Sequence, residues 1–146
     1  HQSYQEVHVR DGMDVSLCVI DKTSNTLNYS GAFNSIYIVS GGVVKELNPD
    51  KQPVGTFIED NIKPFTNHYY QLQSGDVVYM FTDGYADEFG GPKGKKFKYK
   101  KLQEILLKIN QKPFNEQKAI LSKTINDWKG DLEQLDDILL LGFRVI

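Results

Sequence analysis

Gly75-Asp76-Val77-Val78-Tyr79-Met80-Phe81-Thr82-Asp83-Gly84-Tyr85-Ala86-Asp87 is the stretch that orders the rest of the chain. Val77–Phe81 is continuously apolar and rich in β-branched and aromatic residues, which predicts a strand covered on both faces. Asp83 and Gly84 stand at its exit. A second apolar run, Ile138–Ile146, predicts a final strand, and Asp136-Asp137 directly precedes it. If the two strands are antiparallel neighbours, the end of one and the start of the other share a sheet edge. Asp83 and Asp136 then meet in space. Clustered carboxylates repel unless a cation neutralises them, and such sites suit hard cations such as Mg²⁺, Mn²⁺ or Ca²⁺. Asp87 and Glu88 offer further oxygen donors. The plainer reading is a pair of solvated turns, since Asp-Gly after a strand and Asp-Asp before one are both ordinary.

Outward from this stretch the periodicity changes. Asp83–Lys96 holds Gly84, Gly90, Gly91, Pro92 and Gly94 and reads as a long irregular loop. Leu102, Ile105, Leu106 and Ile109 then fall at helical spacing. Pro113 interrupts, and Phe114, Leu121, Ile125 and Trp128 mark the core face of a second helix that stops at Gly130. Upstream, Asp14–Ile20 and Thr26–Tyr29 read as a hairpin around a polar turn. Ser35–Val39 and Val43–Leu47 form another through Gly41-Gly42. Asn48–Gly55, with Pro49 and Pro53, reads as a loop, and Phe65–Leu72 as a strand. Strands first, then two helices, then a last strand predict an α+β domain with a mostly antiparallel sheet.

The length of 146 residues suits one domain. Hydrophobic residues at 40% and charged residues at 25% exclude collagen-like and wholly disordered chains. No apolar run approaches the roughly 18–20 residues that cross a bilayer, so no membrane contact is expected of this segment. The formal net charge of −2 argues against a general nucleic-acid binder. Cys18 is the single cysteine, which fits a reducing compartment, and it reads as a small core residue. The chain starts at His1, so it is expected to be a piece of a longer protein.

The order of these segments resembles the bacterial sporulation stage II E type serine phosphatases of the metal-dependent (type 2C) superfamily. The 75–87 stretch is similar to their "Gly-Asp, apolar strand, Thr-Asp-Gly, x, x, acid" signature. Asp136-Asp137-Ile138-Leu139-Leu140-Leu141 resembles their closing Asp-Asp strand. Lys51-Gln52-Pro53-Val54-Gly55 resembles their Pro-x-Gly segment, and Asp11-Gly12-Met13-Asp14 the start of their central hairpin. The resemblance implies an antiparallel β-sandwich flanked by helices. It also implies hydrolysis of phosphoserine or phosphothreonine in a signalling partner, by a water bridging two Mn²⁺ or Mg²⁺ ions. Asp83 and Asp136 would be metal ligands. Asp87, Asp137 and Gly84 would be ligands or their immediate supports. A phosphorylated anti-sigma-factor antagonist is an expected substrate. An upstream sensor or regulatory region of the same chain is an expected partner, and the cytoplasm the expected location.

Two departures bear on activity. The family's Asp-x-x-Gly-His-Gly motif, whose aspartate bridges both metals, is not found: His1, His8 and His68 lie in other contexts. The family's Gly-His-Pro is here Gly31-Ala32-Phe33-Asn34. Residues 1–146 are therefore expected to be a partial phosphatase domain, truncated at its N-terminal side. It should bind metal weakly, be nearly inactive alone and tend to self-associate through uncovered sheet. A non-catalytic interaction module with the same fold is the rival expectation, and a Ca²⁺-stabilised structural domain a second.

Lys93, Lys95, Lys96, Lys98, Lys100 and Lys101, interleaved with Phe97 and Tyr99, form a basic run. Its plain reading is a solvated face at a helix start. Nucleic acid could use such a mix, but the net charge argues against it. Substrate steering by Lys93, Lys95 and Lys96 is the reading that fits the resemblance. His68 reads as a packed or surface histidine, and no serine has a Ser-His-Asp context.

Overall fold

The computed structural model describes residues 11–55 and 63–146. In chain order the elements are β1 (Gly12–Met13), β2 (Val15–Asp21), β3 (Thr26–Ala32), β4 (Ile36–Ser40), β5 (Val43–Leu47), β6 (Val54–Gly55), β7 (His68–Gln71) and β8 (Val77–Phe81). Then come α1 (Gly84–Asp87), β9 (Phe89–Gly90), β10 (Lys95–Lys96), α2 (Tyr99–Ile109), α3 (Phe114–Lys129) and β11 (Leu140–Arg144).

One antiparallel sheet has the order β11-β8-β4-β5, a second the order β2-β3-β7, and β1–β6 and β9–β10 form small pairs. Alternation along the strands builds two cores from one sheet. Ile36, Ile38 and Val78 face the second sheet, where they meet Leu27, Tyr29 and Leu72. Tyr37, Val39, Val77, Tyr79 and Phe81 face the other way, onto Leu102, Leu106 and Ile109 of α2 and Leu121 and Ile125 of α3. The layers thus run helices, four-stranded sheet, three-stranded sheet. A strand between two such layers must be apolar on both sides, which is why Val77, Val78 and Tyr79 are all at most 1% exposed. Each fully buried aliphatic side chain contributes roughly 1.5–3 kcal/mol.

Both expected hairpins form. Ser40 pairs with Val43, leaving Gly41 and Gly42 as a two-residue turn. Their φ values of 56° and 77° suit a turn that needs positive φ at both central positions.

Several expectations need correction. Asp83–Lys96 is not one irregular loop: it holds α1 and the β9–β10 hairpin. Asn48–Gly55 is not wholly loop, since β6 pairs with β1 and Asp50 bridges to Ala32. The strand expected over Phe65–Leu72 is confined to His68–Gln71, and that over Ile138–Ile146 to Leu140–Arg144. Phe114 is not a core residue. It is 38% exposed, with the Arg144 guanidinium 4.9 Å from its ring. Gln117 takes the buried place on that face of α3 instead.

Candidate metal centre

β11 lies antiparallel to β8, with Leu140 opposite Phe81 and Arg144 opposite Val77. The end of β8 and the approach to β11 therefore share one sheet edge. Beyond the last ladder pair the Thr82 side chain extends the pairing. Its backbone N–H donates to the Leu139 carbonyl at 3.0 Å, and its Oγ1 donates to the Asp137 carbonyl at 2.9 Å. The Leu139 N–H donates back to Thr82 Oγ1 at 3.1 Å. Gly84 then packs its bare Cα against the same segment. A Cβ there would overlap the Asp137 carbonyl.

This stitching brings Asp83 and Asp136 together. Burial pushes the Asp83 carboxyl above its ordinary value, and the Asp136 and Asp87 charges push it further. The Asp136 Oδ1 accepts the Asp137 N–H at 2.8 Å, and Gln134 Nε2 donates to the Asp136 carbonyl at 2.8 Å. Asp137 takes part through its backbone. Asp87 lies near enough to act on Asp83, but its own Oδ1 is paired with Lys96 Nζ at 3.1 Å. Glu88 is turned inward, 3% exposed, with Oε1 lacking a partner among the described residues.

A carboxylate whose proton affinity is raised by burial and by a neighbouring carboxylate is an oxygen donor of the kind a hard divalent cation takes. The donor chemistry therefore fits Mn²⁺ or Mg²⁺ as far as it goes. Among the described residues no group of three His, Cys, Asp or Glu side chains converges on one point. A Mg²⁺ held by such a pair would complete its six-coordinate shell with water. His68 lies on β7 with its ring 5.6 Å from that of Tyr29, in the other sheet. His1 and His8 lie outside the described residues.

An aromatic hollow, not lined by these carboxylates, lies beside the end of β8. Phe33, Asn34 and Ser35 line this hollow of about 190 Å³ with Phe81 and Tyr99. Tyr99 is pushed up to about 12 by burial and then by the Asp87 and Asp83 charges. The segment that departs from the family's Gly-His-Pro thus forms this wall. A roomier hollow of about 430 Å³ runs between α3 and β11, lined by Phe114, Gln117 and Ile125, and includes none of these carboxylates.

Thr82 is the residue whose role the sequence did not disclose. Its position before Asp83 was visible, but its partners lie on the far side of two helices. Of the lysines, Lys96 is bound to Asp87 and Lys101 Nζ lies 3.8 Å from the Trp128 ring centroid.

The fold is that of a PP2C-type phosphatase domain. The SiaA PP2C domain of Pseudomonas aeruginosa superposes with a TM-score of 0.81 at 29% identity, over 90% of this chain and 51% of that one. The PP2C phosphatase domain of Bacillus subtilis SpoIIE, solved with a fragment of its regulatory domain, gives 0.71 at 18% identity, over 90% and 37%. A manganese-presoaked Bacillus subtilis SpoIIE phosphatase domain gives 0.65 at 17% identity, over 90% and 56%. The family model described as Stage II sporulation protein E (SpoIIE) matches residues 1–146, and the chain belongs to that family. No curated protein matches it. The chain spans about half the length, or less, of these solved relatives.

Proposed function

We propose that the parent protein is a metal-dependent phosphatase of phosphoserine or phosphothreonine in a signalling protein, with Asp83 and Asp136 as metal ligands. The observation that carries this is the mutual approach of these two carboxylates, stitched together by Thr82 and Gly84. Bound Mn²⁺ or Mg²⁺ would supply Lewis-acid activation of water and charge neutralisation at phosphorus. This chain's residues bring the two carboxylates to one sheet edge, and Lys96 balances Asp87. An anti-sigma-factor antagonist in the cytoplasm is the substrate we favour. The family's bridging-aspartate motif is not found in these 146 residues, so this chain by itself is expected to turn over little.

The test measures Mn²⁺-dependent hydrolysis of p-nitrophenyl phosphate and a phosphoserine peptide. Asp83→Asn and Asp136→Asn in the parent protein should each lower turnover by at least about 100-fold, more than loss of an outer-shell partner causes. Unchanged activity in either variant removes that residue from the site. Robust turnover by the 146-residue chain overturns the claim that it is inactive alone.

A further inference from the structure

The β9–β10 hairpin and the start of α2 enclose a hollow of about 330 Å³ with an apolar floor and a lysine rim. Phe97 and Trp128 meet edge to face at 5.5 Å on the floor, with Pro92 beside them. Lys93, Lys95, Lys96, Lys98 and Lys101 surround it. Lys96 is held by Asp87, and Lys101 lies over Trp128. Lys93, Lys95 and Lys98 have no carboxylate partner among the described residues. Asp127 and Asp131 lie along an adjoining hollow on the other side of Trp128, where Asp127 is paired with Lys123 at 2.6 Å.

A chain of net charge −2 thus gathers uncompensated positive charge around one apolar hollow. Its geometry is fixed at a cost. Lys98 is held at a φ of 80°, where a side chain is strained. Its N–H donates to the Ala86 carbonyl of α1 at 2.7 Å, which ties the hollow to the helix after Asp83. The Lys96–Asp87 pair makes a second tie. An apolar floor asks for an apolar side chain, and a lysine rim asks for carboxylates around it.

We propose that this hollow docks an acidic segment of a partner protein, an apolar side chain beside Trp128 and Pro92 flanked by Asp or Glu on the lysines. The phosphorylated residue of the same partner then lies toward Asp83, and this last step rests on the phosphatase reading. The surface thereby selects the substrate by sequence outside the phosphorylated residue.

Trp128 is the only tryptophan of the chain, so its fluorescence reports the hollow directly. The chain is titrated at low salt with an Asp-Glu-Leu-Glu-Asp peptide. A saturable change is expected, about tenfold weaker with Lys93→Glu/Lys95→Glu, weaker again when the peptide leucine is serine, and weaker as salt rises. No saturable change, equal binding by the double variant, or equally tight binding of an oligonucleotide of the same charge overturns the proposal. The readout is binding, so the two readings fail separately. A silent titration beside active parent enzyme counts against docking alone. Binding beside an inactive parent counts against the phosphatase reading alone.

Discussion

Thr82 joins two segments that the chain order keeps far apart. Its hydroxyl both donates to Asp137 and accepts from Leu139, so one side chain does what a further ladder pair would do. Val has the same shape and neither capacity. Thr82→Val should therefore cost about 1 kcal/mol, the usual net worth of such bonds at a partly exposed site. It should also weaken Mn²⁺ binding by the parent protein about tenfold by loosening Asp136. Thr82→Ser should restore both. Calorimetric titration with Mn²⁺ and urea denaturation measure the two effects. Unaltered Mn²⁺ affinity in the Val variant would show that Asp136 is placed without it.

Among the elements, α3 shows best how a helix is held by polar groups in an apolar layer. Gln117 is 2% exposed. Its Oε1 accepts the Tyr79 hydroxyl at 2.7 Å, and its Nε2 donates to the Asn110 and Lys112 carbonyls at 3.0 and 2.9 Å. Arg144 Nη2 donates to the same two carbonyls from β11, at 2.6 and 2.9 Å. The α2–α3 connection is thus clamped from two sides. Gln117→Leu should cost about 1–3 kcal/mol, chiefly for the stranded Tyr79 hydroxyl. Combined with Arg144→Leu the loss should exceed the sum of the single losses, because only the pair strands the carbonyls. A urea double-mutant cycle measures this, and strict additivity would dissolve the clamp. The sequence disclosed α2, α3 and β8 because each is long or apolar enough to impose a period. It could not disclose α1, where four residues make one turn and surrounding glycines mask it. Nor could it disclose Gln117, since a polar residue on a core face is marked only by partners brought in from other elements. The Asp83–Asp136 approach was legible as a conditional statement, and the β8–β11 register met the condition.

Among the described residues, the thiol and several tyrosine hydroxyls are held inward. Burial pushes Cys18 from 9.0 to about 11, and Tyr37 and Tyr79 from 10.0 to about 12. Between each pair of values the unfolded chain has released a proton that the folded chain still holds, so stability falls as pH rises. The contribution is fully present below pH 9.0 and is lost progressively up to about 12. The urea midpoint should accordingly drop between pH 9 and 11, and Cys18→Ala should flatten the first part of that drop. A midpoint constant over this range would mean that these groups ionise while folded. β8 is flanked on both sides, but β11 is the outermost strand of its sheet among the described residues. Outer strands fray at lower free energy than the core they border. Each such opening carries Asp136 away while Asp83 stays on its anchored neighbour. The carboxylate pair therefore has a lifetime of its own, shorter than that of the fold, and a bound cation would lengthen it by latching the outermost strand in place.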